Sequence, residues 1–247
     1  MGARMDRGGN LLTVADDLSA QFNLLYRDLK VYADVLSDRL NRLSTSHSVG
    51  PFDTTMVTRM RMHALGVLKR HSMLAGTGVI FAPERIAVPE QLIQWYVRSD
   101  DEDIEPYGFV YDRDSKEFYD FLNLPWYHRP RTTGRPALGG PLLDYLGFDE
   151  YIVTLAVPLN VGDEFAAVVG ADLLVESVQV ALQKALSRHS SGKWPPVALV
   201  TEEDRIVCAN SAQFLPGLRL DERSDTLSRI ALTTSVPTFT LVAAAQE

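Results

Sequence analysis

Between Leu11 and Leu43 the apolar residues advance in alternating steps of four and three. Leu11, Ala15, Leu18, Phe22, Leu25, Leu29, Tyr32 and Leu36 form the stripe, Arg39 interrupts it beside Leu40, and Leu43 resumes it. No Pro or Gly falls between Leu11 and Ser46. The spacing predicts one helix over residues 11–46, roughly 50 Å long at 1.5 Å per residue. A heptad-like seam of this length suits two partners equally: a second copy of the helix in a dimer stalk, or the chain's own domain.

Ser44–Phe52 holds Ser, His, Gly and Pro and reads as a connector. Asp53 with Thr54 makes a good N-cap for a second helix, whose apolar face carries Met56, Met60, Ala64, Val67 and Leu68 and which ends before Gly76-Thr77-Gly78. Beyond that point the runs shorten. Gly78–Ala82, Leu92–Arg98 and Tyr107–Tyr111 read as strands, and Ser115 to about Leu122 as one or two helical turns. Tyr151–Leu159 and Glu164–Leu174 flank Asn160-Val161-Gly162-Asp163, the pattern of a β-hairpin. Glu176–Arg188 is a helix with Val178, Leu182, Ala185 and Leu186 on one face. Val197–Val200 and Arg205–Ala209 make a second hairpin around Glu202-Glu203-Asp204, and Thr238–Ala244 a final strand. Helices followed by strands, hairpin, helix and strands predict an α+β fold with an antiparallel sheet. Residues 1–10 are a polar, glycine-containing tail.

Composition narrows the function. The 247 residues are 46% hydrophobic and 23% charged, an ordinary globular balance. A net charge of −8 repels phosphate backbones and argues against direct nucleic-acid binding. Cys208 is the single cysteine, which rules out an internal disulfide and suits a reducing compartment. No apolar run approaches the roughly 20 residues of a membrane span, and MGARMDRGGN lacks the apolar centre of a signal peptide, so the expectation is a soluble cytoplasmic protein. GxSxG, HExxH, P-loop and CxxC signatures are missing, and His47, His63, His71, His128 and His189 are scattered. We therefore expect no enzyme, no metal and no cofactor.

The chemistry concentrates in two places. Asp172 sits inside the apolar run AAVVGADLLV, where a carboxylate is costly unless it is paired or reaches solvent or a ligand. Ahead of the hairpin, Trp126 and Tyr127 precede a basic, glycine-bearing loop with Arg129, Arg131 and Arg135. A carboxylate facing an aromatic box suits an ammonium group, with cation–π attraction of roughly 0.5–2 kcal/mol. Any of the three arginines could grip a carboxylate at the other end of the same ligand. Against this stand plainer roles: Asp172 tying down a backbone amide or an Arg, the aromatics packing the core, the arginines in a solvated loop. Tyr111, Tyr145 and Thr154 are secondary pocket candidates.

Several phrases in order carry a resemblance. Leu124-Pro125-Trp126-Tyr127 is followed by GGPLLDY at Gly139–Tyr145, by Thr154 ahead of Val157-Pro158, by Val169-Gly170-Ala171-Asp172, and by ALVTEEDRIVCANS at Ala198–Ser211. This arrangement, over roughly residues 50 to 215, resembles the Cache family of sensor domains. The resemblance implies a PAS-like antiparallel sheet with the long N-terminal helix packed on it. It implies one sensor domain over residues 47–247, because a double module would need a longer chain. It also implies recognition of a small metabolite (an amine, an amino acid or a small carboxylate) by Trp126, Tyr127 and Asp172. The amino-acid-binding pattern of the family has an Arg where this chain has Leu124, so the resemblance alone does not carry an α-amino-acid ligand. Two functional readings follow. One is a small-molecule sensor acting through a homodimer or a separate partner such as a transcription regulator. The other is a small cytosolic enzyme acting on a carboxylate or amine with Asp172 as general base.

Overall fold

The structure, a computed structural model, describes residues 7–43, 54–99, 103–110, 114–115, 120–144, 150–189, 194–220, 226–236 and 239–244. Helix α1 spans Arg7–Leu43 and α2 spans Thr54–Arg70. Strands β1 (Leu74–Phe81), β2 (Ile93–Arg98) and β3 (Ile104–Pro106) follow, then α3 (Pro125–Thr133), β4 (Ala137–Asp144), β5 (Glu150–Val161) and β6 (Glu164–Leu174). Helix α4 (Val175–His189) leads to β7 (Val197–Val200), β8 (Ile206–Ala209), β9 (Ser228–Ala231) and β10 (Thr240–Ala243).

The fold is α+β, with a PAS-like antiparallel sheet and the N-terminal helix packed on it. Strands β1–β6 form a six-stranded sheet in the order β3-β2-β1-β6-β5-β4. The β5–β6 hairpin turns at Gly162, whose φ of 60° belongs to the left-handed region that hairpin turns demand. The strands after α4 do not join this sheet. They form a second, four-stranded one in the order β8-β7-β10-β9. Residues 47–247 therefore hold two sheets where one was expected, because α4 starts directly after β6 and carries the chain away from the first sheet's strands.

The stripe on α1 packs on the chain itself. Leu11, Ala15, Leu18, Phe22, Leu25, Leu29, Tyr32, Leu36 and Leu40 are all buried in one core with α2, α4 and one face of each sheet. Each buried Leu or Phe contributes about 1.5–3 kcal/mol, so the stripe sums to more than a typical domain's net stability. This resolves the choice left open by the heptad spacing: the predicted seam is intramolecular, and α1 is the spine that both sheets share. Polar side chains fix its middle and its C-terminal end. Asn23 Nδ2 donates to the Thr233 carbonyl at 2.9 Å ahead of β10, and Asn41 Oδ1 accepts from the Gly162 amide at 2.7 Å in the hairpin turn.

Three local expectations shift. The edge strand pairs through Ile104–Pro106, since Tyr107 and Phe109 turn their rings onto the sheet face and stack edge-on at 4.8 Å. Of the expected turns over 115–122, residues 116–119 lie outside the described residues, while Phe121 and Leu122 are not helical. The basic segment after Leu124 is helical instead of looped. Pro125 occupies the first helical position, and Gly134, at φ 66°, caps the end.

Candidate functional site

The six-stranded sheet has one face on α1 and another covered by a separate cluster. Ile80, Ile93, Trp95, Phe121, Trp126, Tyr127, Ala156 and Val168 form that cluster. Strand register aligns two rows on this face. One runs Val97–Gly76–Asp172–Thr154–Gly139 across β2, β1, β6, β5 and β4. The next runs Trp95–Gly78–Gly170–Ala156–Ala137.

Asp172 is buried at the centre of the first row, and the Thr154 hydroxyl donates to its Oδ1 at 2.6 Å. The bland expectation for Asp172, a backbone amide or an Arg, did not anticipate this cross-strand hydroxyl. Thr154 is thus brought to Asp172 as a direct neighbour.

Trp126 is buried in the first turn of α3, with its Cδ1 edge against Gly139. A Cβ on Gly139 would lie 2.9 Å from that edge, so glycine is what lets the indole approach the polar row. Among the described residues, the Trp126 Nε1 hydrogen is buried without a hydrogen-bond partner. A buried donor left unmatched costs about 1–3 kcal/mol, and such groups mark functional positions.

Tyr127 points elsewhere. Its hydroxyl reaches the Phe81 carbonyl at 3.4 Å, and its ring meets Phe121, Phe165 and Trp126 edge-on. Burial pushes its phenol well above the ordinary value. The structure gives Tyr127 a packing role that holds Trp126 in place, away from the Asp172 row.

The arginines also turn away. Arg129 pairs with Glu203 at 2.6 Å and lies 3.8 Å from Glu202, in the turn between β7 and β8. Arg131 pairs with Glu84 at 2.7 Å, and Arg135 is exposed. The expected bidentate grip on a ligand carboxylate is therefore not what Arg129 forms: acidic residues of the second unit sit within reach of α3 and take its charge. Tyr111 and Tyr145 lie outside the described residues. No group of three or more His, Cys, Asp or Glu among the described residues is placed to hold a metal ion.

Sequence reasoning missed Trp95. A Cβ on Gly76 would lie 2.6 Å from Trp95 Nε1, one on Gly78 2.9 Å from Cε3, and one on Gly170 3.0 Å from Cη2. The indole lies across three glycines on two strands, next to Asp172. Its signal was faint: a Trp in a short strand and a Gly-Thr-Gly in another, which only register brings together.

Residues 65–180 match the methyl-accepting chemotaxis protein-like first PDC sensor domain. The match runs from α2 through the six-stranded sheet into α4. Over these residues the chain is similar to the PDC, or Cache, family of sensor domains. No curated protein matches the chain. Among solved structures, the extracellular domain mmHK1S-Z3, assigned to a histidine kinase, aligns over 98% of this chain and 94% of its own, at 14% identity and a TM-score of 0.67. The ligand-binding domain of the Pseudomonas fluorescens chemoreceptor CtaA, in complex with L-valine, aligns over 95% of this chain and 94% of its own, at 13% identity and a TM-score of 0.57. The ligand-binding domain of the Pseudomonas aeruginosa PAO1 amino acid chemoreceptor PctC, in complex with GABA, aligns over 94% of each chain, at 14% identity and a TM-score of 0.57. Alignment of nearly the whole chain means that both sheets have counterparts in these domains.

Proposed function

We propose that the chain is a sensor that binds a small cationic or zwitterionic metabolite, an amine or an amino-acid-like molecule, on the Asp172 row of the six-stranded sheet. The observation that carries this reading is the buried, partnerless indole N–H of Trp126 on the same sheet face as the Asp172 carboxylate. One group is an unmet donor for a ligand's carboxylate or other acceptor, and the other is an anion suited to an ammonium. Neighbouring domains bound to L-valine and GABA support the same ligand chemistry. Output passes through a second copy or a separate partner protein, such as a transcription regulator. For a second copy, the surface is the outward side of α1, where Leu24, Val31 and Val35 are exposed at 42%, 52% and 39%.

Calorimetric titration of the chain with L-alanine, L-valine and GABA tests the site. Asp172→Asn keeps the shape, removes the charge, and should weaken binding roughly 10- to 150-fold, the equivalent of about 1.5–3 kcal/mol. Unchanged affinity with a lowered melting temperature would give Asp172 to the fold alone.

Compartment has two opposed forecasts. Composition favours the cytoplasm, whereas a neighbour described as an extracellular domain favours the outside. No helix among the described residues is long and apolar enough to cross a membrane. Fractionation of cells expressing the native gene decides between them.

A further inference from the structure

We propose that Trp95 sets the size limit of the ligand, confining the site to compact ammonium compounds. This rests on the reading of Asp172 as the ligand's anchor.

The row beside Asp172 is floored by Gly78, Gly170 and Ala156, the smallest side chains available. Bare backbone next to a binding carboxylate is where a ligand's side chain would extend. Here Trp95 fills that space. Its Nε1 edge lies at Gly76, the β1 partner of Asp172 in register, and its far edge reaches Gly170 on β6. Adjacent strands are roughly 4.8 Å apart, so the indole spans about one strand spacing and closes the floor on the β1 side. The ring lies so close over the glycines that an added Cβ would meet it at 2.6 Å on Gly76, 2.9 Å on Gly78 and 3.0 Å on Gly170. It is also held from behind, being only 5% exposed and packed in the cluster with Ile80, Ile93 and Trp126. A ligand anchored at Asp172 therefore meets a fixed aromatic wall on that side. The wall excludes bulk beyond it.

The test uses the full chain, with glycine, L-alanine, L-leucine, L-phenylalanine, ethylamine and phenethylamine as calorimetric probes. The wild type should bind the small members of each series at least tenfold more tightly than the large ones, since a few methylenes against a rigid pocket are worth roughly 10- to 200-fold. Trp95→Ala should level or invert that order. Trp95→Phe, a milder change that carries the test if the Ala variant does not fold, should move it part of the way. Gly170→Ala pushes on the ring from below and should weaken even the small probes. A wild type that takes L-phenylalanine as readily as L-alanine would overturn the inference, as would Trp95 variants that keep the wild-type order. Absence of binding by every probe to both proteins would instead bring down the Asp172 site, and the size limit with it.

Discussion

Asp28 and His71 meet at 2.8 Å, Oδ2 to Nε2, and Arg70 donates to the same oxygen at 2.9 Å. The arrangement recurs on the same helix: Asp17 Oδ2 lies 3.0 Å from His189 Nε2 and 3.5 Å from Arg188 Nη1. Each Arg-His pair closes the helix that leads into one of the two sheets, α2 into β1 and α4 into β7. The two aspartates stand 28 − 17 = 11 residues apart, close to three helical turns, so they lie near one side of α1. One helix thus clasps both halves of the molecule by the same chemistry.

The clasps should differ in strength. Asp28 is 13% exposed and Asp17 is 33% exposed. Asp28→Asn should cost about 1.5–3 kcal/mol in denaturant unfolding, as for a charge-assisted hydrogen bond out of solvent. Asp17→Asn should cost at most about 1 kcal/mol. Burial works to raise the Asp28 carboxyl, but the hydrogen bonds from Arg70 and His71 outweigh it and hold the group below its ordinary 3.8. A depressed folded value means that the stabilisation is present above pH 3.8 and is lost as pH falls through the folded value. Melting temperature should therefore drop more steeply below that pH in the wild type than in Asp28→Asn. Parallel acid melting curves would contradict the clasp.

Helix α1 has a buried and an exposed side, and substitutions should separate them. Leu25→Ala empties a fully buried position and should cost about 2–5 kcal/mol, read from the denaturant midpoint. Deleting residues 1–45 should leave a chain without cooperative unfolding. Val31→Asp, on the 52% exposed outward side, should leave the melting temperature nearly unchanged. If a second copy docks there, light scattering should report about twice 27.5 kDa for the wild type and a single mass for Val31→Asp.

Trp126→Phe removes the indole N–H and keeps an aromatic ring against Gly139. Without ligand, the lost volume and the removed orphan donor oppose each other, so stability should change by less than for Trp126→Ala, which costs about 3–5 kcal/mol. With a bound zwitterion the donor is matched in the wild type only. Affinity for such a probe should fall about tenfold in the Phe variant, while affinity for a simple amine of the same size stays put. Equal losses for both probes would show that the ring, not its hydrogen, matters.

The parts of this fold that sequence conveys are those set by local period. The α1 stripe, the β5–β6 hairpin and α4 declare themselves through spacing and turn residues. What the stripe packs against does not, because a seam reads alike whether its partner is another helix or a sheet. Helix α3 was legible and overlooked: Pro125 at its first position and Gly134 after its end are ordinary boundary residues, but the arginines and Pro130 between them read as loop. Asp172 stood out because a carboxylate in an apolar run is costly. Of its neighbours only Thr154 was singled out, and its contact with Asp172 was not, since Gly76, Trp95, Gly139 and Thr154 come together only through the register of five strands. The split into two sheets was hidden for the same reason. Strands β7–β10 are short, and nothing in their composition names their partners.

Arg129 ties the helix that carries Trp126 to the second sheet. Its guanidinium is 43% exposed and Glu203 is 36% exposed, so the pair itself contributes only about 0.2–1 kcal/mol. Its consequence is positional, because α3 holds Trp126 at one end while Arg129 grips the β7–β8 turn one helical turn later. Arg129→Ala should lower stability by no more than about 1 kcal/mol and leave the affinity for an amino-acid probe within about twofold, since the guanidinium sits on Glu203 and not on the Asp172 row. Arg129→Glu should cost more, by placing like charges together, and the double variant Arg129→Glu, Glu203→Arg should recover most of that loss. A tenfold fall in affinity for Arg129→Ala, with stability unchanged, would return this arginine to the ligand site and reject the tie.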